Sequence, residues 1–367
     1  MFHQLYFTAA QPYTSSAAVV NSSTALALPA LDRGLSLIAN SLTRMAPMQL
    51  WDDGEKVGTT PFLQRPSPLW TSSEFWSSAT KTLVLFGNWV ALKQRDGGEI
   101  VGLIPAPIEQ VAMIPGSGAS FVYEISGKRY SPEQVVHVRW DMLAGSLRGV
   151  GVLEKHRRAL GLAMDVDQYS ATSYRGGNVP SAIVKVDPDL DDSVIQRTKE
   201  AWDEANADGK RTLRVVPRDS EFVPLVGFSP QDMETLAARV MSVVEIAHML
   251  SLDPSDLGVV PPTGGSDTYK NMQERYVQRA YESVFPVAQR FEEAFSDLLP
   301  GQLECRFQRE KLIGLDEQGQ ASVDAQLISA GIKTVDEVRA ERGLPPRPKP
   351  EIAPAPEAAT PPQDPTS

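Results

Sequence analysis

The sequence predicts an α+β fold in which two long amphipathic helices carry a small α/β insert between them, beside a strand-rich region and a long bent helix. Three observations predict it. Apolar residues recur at helical spacing over Leu153 to Tyr174 and again over Gln231 to Leu250, and the segment they enclose reads as strand, helix, strand, strand. Residues 89–140 hold short strand-like runs separated by Gly-containing turns, the pattern of a small antiparallel sheet. After the second long helix comes an aperiodic Gly/Pro loop, then a helix interrupted by Pro286, which lacks an amide and should kink it.

Taken in order, residues 1–24 read as irregular. Leu31, Leu35, Ile38, Ala39 and Leu42 make an amphipathic helix from Leu26 to Met45, ended by Pro47. Met48 to Trp51 is a short strand closed by the turn signal Asp52-Asp53-Gly54. Thr71 with Glu74 three residues on forms a capping box for a helix that stops at Gly87. Strands follow from Trp89 and at 100–104, 111–114, 121–125 and 135–140.

The first long helix ends at Arg175-Gly176-Gly177, a C-terminal cap signal with a cation in the last turn. In the insert, strands at 181–186, 212–216 and 221–225 surround a helix at 193–205 that Asp191 or Asp192 can cap. Ser229 as N-cap and Pro230 at the first helical position open the second long helix, so the insert sits on a two-helix stalk. Gly258 to Asp267 is a loop, and Tyr269, Met272, Tyr276, Ala280, Val284, Val287 and Phe291 mark the helix behind it. A strand at 305–308 and a helical pair at 321–329 and 334–341 precede a Pro-rich tail from Pro345 onward, whose composition favours disorder or an extended chain.

Composition narrows the function. The 367 residues, 42% hydrophobic and 22% charged, suit a soluble globular chain without a membrane span, and Met1 to Leu5 lacks the cationic start of a signal peptide, so the expected site is the cytoplasm. A single cysteine, Cys305, excludes a multi-thiolate metal site within one chain, and His3, His137, His156 and His248 show no metal-ligand spacing. A net charge of -11 argues against a general nucleic-acid binder but does not exclude a surface past which DNA slides, since a wall that repels phosphate avoids deep binding minima.

With these elements in place, the chain resembles the portal proteins of tailed bacteriophages, ring-shaped connectors at the DNA-entry vertex of the head. The resemblance is carried by Pro61-Phe62-Leu63 through Trp76, Phe86-Gly87-Asn88-Trp89-Val90, Leu103-Ile104-Pro105 and Val135-Val136-His137-Val138-Arg139. It continues through Gly149-Val150-Gly151-Val152-Leu153, Gly176-Gly177-Asn178-Val179-Pro180, Ile246 to Leu250, Asp256-Leu257-Gly258 and Gly331-Ile332-Lys333-Thr334. It implies a portal-type fold: an α/β wing (1–150 and 252–315, including a tunnel loop at 258–267 and the long kinked helix), a two-helix stem (151–177 and 229–251) and a small α/β clip (178–228). A short helical crown (316–345) and a disordered tail (346–367) complete it.

The implied function is a non-enzymatic, dodecameric ring in the virion, assembled in the host cytoplasm. Double-stranded DNA would pass through it during packaging and ejection. The implied partners are the terminase large subunit, the head-tail adaptor, and the major capsid and scaffolding proteins, with no membrane and no cofactor. The DNA-facing loop residues would be Val260, Thr263, Gly264, Gly265, Ser266, Asp267 and Lys270, of which Thr263 and Ser266 carry hydroxyls that offer weak, exchangeable bonds to phosphate. Lys185, Arg197, Lys199, Lys210, Arg211 and Arg214 make the insert the most basic local region, for contact with DNA or acidic partners, and Asp165 and Asp167 would give the stem an acidic channel wall.

Departures from the family are a loop without a basic residue before Lys270, a short crown and an unplaced extreme N-terminus. No GxxxxGK[ST] and no GxSxG occurs. One competing class is a metal-dependent phage head nuclease or peptidase using Asp187, Asp189, Asp191 and Asp192 or Glu292 and Glu293, the latter pair read as lying on a solvated helix face. The other is a monomeric interaction protein whose Pro-rich tail binds partners.

Overall fold

The computed structural model describes residues 5–6, 19–115, 121–176, 182–186, 191–205, 213–217, 230–259, 269–313 and 317–347. Residues up to Ile313 form one unit and those from Gly314 a second. The first is α+β, as its sequence patterns predict.

Its core forms where helices Pro29–Met45, Ser72–Phe86 and Phe285–Ser296 meet the strand Asn88–Asp96. Pro29–Met45 turns Leu31, Leu35, Ile38, Leu42 and Met45 inward at helical spacing, all at most 2% exposed. Ser72–Phe86 begins at the expected capping box: the Glu74 amide donates to Thr71 Oγ1 (3.3 Å) and the Thr71 amide to Glu74 Oε2 (2.9 Å); this amide bond, with one from the Thr71 hydroxyl (2.8 Å), holds the Glu74 carboxyl below its ordinary pKa. Trp76 from this helix packs edge-on to Phe291 (5.5 Å between centroids) and Phe307 (4.9 Å), with Phe295 at 5.1 Å. Such pairs contribute about 0.5–1.5 kcal/mol each beyond their buried area.

The strand region is two sheets, not the single small sheet the turn pattern suggests. Asn88–Asp96 lies between Glu99–Pro105 and Val135–Arg139, antiparallel to both. A four-stranded antiparallel sheet follows the order Leu5–Tyr6, Val111–Pro115, Phe121–Ile125, Lys128–Tyr130 and has its own core of Val111, Met113, Tyr123 and Ile125. Pro105 and Pro107 separate the sheets, because neither can donate to a ladder and the chain turns instead through the 3-10 segment Ile108–Gln110. The irregular N-terminus is also corrected. Leu5–Tyr6 is a strand, and a short helix Ser22–Leu26 is capped by Asn21, whose Oδ1 accepts from the Thr24 amide at 2.9 Å.

The turn signal at Asp52-Asp53-Gly54 closes a hairpin of Gln49–Asp52 and Glu55–Gly58, with Asp53 and Gly54 both at positive φ (46° and 83°). Glu304–Arg306 adds a third strand to it. The two long helices are Arg157–Gly176, entered through a short turn Val152–Lys155, and Pro230–Met249, and they pack on one another. Between them, Ala182–Val186 and Leu213–Pro217 pair in parallel, linked by a crossover that includes helix Asp192–Ala205. The expected third strand at 221–225 lies outside the described residues.

The bent helix runs as Tyr269–Arg279, a five-residue π segment Ala280–Val284, and Phe285–Ser296. The π turn sits immediately before Pro286, whose ring crowds the preceding turn, so the helix widens there. Ser283 Oγ in that turn donates to the Ser251 carbonyl (2.5 Å), where the second long helix ends with Ser251 at φ 54°.

The second unit is the expected helical pair, Glu317–Ser329 and Val335–Glu341, turned at Gly331 (φ 72°) and capped by Thr334 with Glu337. Arg342 pairs with the buried Asp324 between the two helices. No helix among the described residues is long and apolar enough to cross a membrane.

Candidate functional site

The first long helix starts from a junction built of glycines. Three segments cross there: Leu85 to Asn88 at the end of one helix, Trp140 at the end of a strand, and Gly149 to Gly151 leading into the helix. The Trp140 amide donates to the Gly87 carbonyl (2.8 Å) and the Val150 amide to the Trp140 carbonyl (3.0 Å). A Cβ at Gly87, Gly149 or Gly151 would lie within 3.0 Å of backbone atoms of the other segments, so only glycine fits.

Asn88, fully buried, bridges this junction. Its Nδ2 donates to the carbonyls of Phe86 and Gly149 (both 2.9 Å), and its Oδ1 accepts from the Gly149 amide (2.8 Å). His137 Nε2 lies 3.0 Å from the same Oδ1, which makes it the donor, and Nδ1 then accepts from Tyr123 Oη (3.0 Å) and Arg139 Nε (3.3 Å). The ring is therefore held neutral: burial, with the Arg139 charge beside it, pushes its pKa down to about 3.

A depressed folded-state pKa means that stability is complete above the unfolded value and is lost as pH falls. Between about pH 6.5 and pH 4, His137 should therefore cost about 1.4 kcal/mol of stability per pH unit. Denaturation of the wild type and of His137→Gln across that range should show this slope in the difference between them.

The loop at 258–267 is described at its two roots. Asp253 caps a 3-10 turn, Pro254–Leu257, its Oδ1 accepting from the Ser255 amide (2.8 Å), and Gly258 closes the turn at φ 91°. The Ser255 bonds and the Arg275 charge hold the Asp253 carboxyl below its ordinary pKa. From the helix on the far side of the loop, Arg279 Nη1 donates to Asp256 Oδ1 (2.9 Å), their side chains 13% and 14% exposed, and Arg275 Nη1 donates to Ser255 Oγ (2.7 Å). Arg33 Nε donates to the Asp256 carbonyl (2.8 Å), which ties the first root to helix Pro29–Met45. A loop with roots fixed in this way can vary in its middle while the fold stays intact.

Of the loop residues expected to face DNA, Val260, Thr263, Gly264, Gly265, Ser266 and Asp267 lie outside the described residues. Lys270 is in the first turn of helix Tyr269–Arg279, described by its backbone alone. Lys210 and Arg211 also lie outside. Lys185 and Arg214 stand on the two parallel strands, where the register pairs Ile183 with Arg214 and Lys185 with Val216. Arg197 is exposed on helix Asp192–Ala205, which also holds Lys199.

Asp167 on the first long helix is exposed and accepts from Arg239 on the second (3.0 Å). Its charge is therefore neutralised locally, by a pair too exposed to add much stability. Asp165 is half-buried. Both helices also hold large apolar residues in solvent at helical spacing: Leu162 and Tyr169 on the first, Leu236, Val240 and Met241 on the second.

The alternative metal chemistry meets a correction. Glu292 is 7% exposed rather than on a solvated face. Its Oε1 accepts from the Phe307 amide (2.8 Å) and its Oε2 from Arg309 Nη2 (2.6 Å), so it is a tie to the chain after strand Glu304–Arg306. Glu293 is exposed and pairs with Arg290 (3.5 Å), and Asp191 Oδ1 accepts from the Ser193 amide, as a helix cap does. Asp187 and Asp189 lie outside the described residues. Among the described residues no group of three or more His, Cys, Asp or Glu is arranged to hold a metal. Cys305 is buried and its thiol is pushed up to about 12, which makes it a poor nucleophile.

The structure brings His156 and His248 to the wall of one cleft of about 440 Å³, beside the π segment. Burial, with Lys155 adjacent, lowers the His156 pKa. The glycine junction and the Arg279–Asp256 pair are what reading for chemistry missed. The available signal was Phe86-Gly87-Asn88 recurring against Gly149-Val150-Gly151, two Gly-containing segments at helix boundaries.

Comparison with known proteins is consistent with this geometry. The probable portal protein of Streptomyces phage phiC31 is 26% identical over 293 residues, which cover 74% of this chain and 63% of that protein, so the chain spans less than two thirds of this relative's length. Among solved structures, an HK97-family phage portal protein from Corynebacterium diphtheriae aligns with a TM-score of 0.56 at 17% identity, covering 81% of this chain and 97% of its own. A chain in the neck of a native gene transfer agent particle, computed with C12 symmetry, aligns with a TM-score of 0.58 at 20% identity over 88% of this chain and 92% of its own. At these identities the structural matches establish the fold. Residues 29–343 match the phage portal protein family, and the chain belongs to that family.

Proposed function

We propose that this chain is the subunit of a ring-shaped channel at the capsid vertex, through which double-stranded DNA is packaged and later ejected. The observation that carries the reading is the apolar surface on the paired long helices. Leu162, Tyr169, Leu236, Val240 and Met241 are each 43% or more exposed, a surface that a neighbouring copy would remove from water. In this reading Arg157–Gly176 and Pro230–Met249 are the stem, and the insert between them is the clip, which docks the terminase large subunit and then the head-tail adaptor. Residues 1–150 and 252–315 form the wing that meets capsid and scaffolding proteins, and 316–345 a short crown. The twelvefold symmetry of the gene transfer agent neck supports a dodecamer.

The loop at 258–267 contacts the moving duplex. Its residues Thr263 and Ser266 offer exchangeable bonds to phosphate, and the acidic chain keeps that grip weak. The glycine junction fixes the direction of the stem against the sheets, and the Arg279–Asp256 pair fixes the base of the loop. Deleting Gly264 and Gly265 should impair DNA translocation or retention while leaving ring assembly unchanged, measured as DNA content of particles alongside ring mass. Full DNA content with the shortened loop would remove the loop from the mechanism.

A further inference from the structure

A groove of about 990 Å³ opens on the unit ending at Ile313, between the strand Glu99–Pro105 and the turn at 297–300. Phe62, Ile100, Leu299 and Leu303 make it apolar, while Arg65, Lys93 and Arg95 supply three cations. Other arginines of this unit do meet carboxylates: Arg148 with Glu154, Arg279 with Asp256, Arg309 with Glu292. Among the described residues no ion pair joins Arg65, Lys93 or Arg95 to a carboxylate, although Glu99 and Asp297 also border the groove. Arg95 donates to the Gly98 carbonyl (2.8 Å), and Arg65 makes only long contacts to the Trp70 and Pro68 carbonyls (both 3.4 Å). Lys93 is half-buried, and desolvation together with the Arg95 charge lowers its pKa even though the carboxylates of Asp297 and Glu133 act on it in the opposite direction, so its charge is only partly balanced.

We propose that this groove docks an extended acidic peptide segment of a partner protein, its carboxylates meeting Lys93, Arg95 and Arg65 and its apolar side chains covering Phe62, Ile100, Leu299 and Leu303. Charge complementarity selects the occupant: three cations against the two carboxylates of Glu99 and Asp297, none of them in a direct ion pair among the described residues, leave the groove net positive beside its apolar residues, within a chain of net charge -11. The volume stands at the upper end of ligand pockets, and one wall is an edge strand, the surface along which extended peptides lie. One backbone group of that strand, the Leu103 amide, is already bonded to the Pro66 carbonyl (2.8 Å), which limits strand addition and leaves recognition to side chains. A nucleic-acid strand fits less well, since the apolar side chains of the groove offer nothing to a phosphate backbone.

The test is selection of short random peptides, displayed as a library, on the full-length protein, followed by affinity measurement of the selected peptides. The peptides recovered should combine Asp or Glu with apolar residues. They should bind about tenfold or more weaker to Lys93→Gln/Arg95→Gln, and Lys93→Arg should retain them. A short oligothymidylate should not compete. Selected peptides without carboxylates, equal binding to the double variant, or no enrichment at all would overturn the proposal. Competition by the oligothymidylate would reassign the groove to phosphate.

Discussion

Gly151→Ala should destabilise the protein by about 3 kcal/mol or more in chemical denaturation of the full chain, a large effect for a single methyl group. The reason is space rather than backbone strain. Position 151 has φ -95°, which any residue tolerates, but an added Cβ would meet Leu85 O, Gly87 N and Phe86 C, all backbone atoms of a capped helix end. Those atoms cannot yield without loosening the Asn88 bonds to Phe86 and Gly149. Gly145→Ala is the control. Its φ of 81° is unfavourable to alanine, yet nothing lies within 4 Å of the added carbon, so it should cost only about 1–2 kcal/mol. Equal losses from the two substitutions would show that the junction has room to relax.

Asp256→Ala should cost about 3 kcal/mol, because it leaves the Arg279 guanidinium desolvated and without its carboxylate. Asp256→Asn keeps an acceptor for Arg279 and should lose less. Hydrogen exchange should show where the loss falls. Amides of Pro254–Leu257 and Tyr269–Arg279, the two loop roots, should exchange faster in Asp256→Ala, while those of Ser72–Phe86 keep their protection. Uniform loss of protection across the chain would mean that the pair supports the whole core rather than the base of the loop.

Local features were legible in the sequence because their physics is local. Thr71 with Glu74, Thr334 with Glu337, Gly87 as helix stop and Asp53-Gly54 as hairpin turn are each decided within four residues, and each stands where its chemistry places it. The two long helices followed equally from periodicity. Burial of Glu292 was not legible, since it depends on Arg309 and the Phe307 amide supplied by a later segment. The division into two sheets was missed because strand spacing does not reveal that Val135–Arg139 returns to pair with Asn88–Asp96. The same holds for the candidate site. Asp256 and Arg279 are separated by the whole loop, and Lys93 comes to line one groove with Phe62 and Leu299 only through the fold.

Assembly of the paired helices around a channel is the central claim, and the mass of the purified full chain, by native mass spectrometry with imaging of the particles, tests it most directly. The prediction is a closed ring of about a dozen copies with a central hole, which Leu236→Glu together with Met241→Glu on the exposed face of the paired helices should dissociate. A 40.1 kDa monomer at every concentration, unchanged by those substitutions, would contradict it.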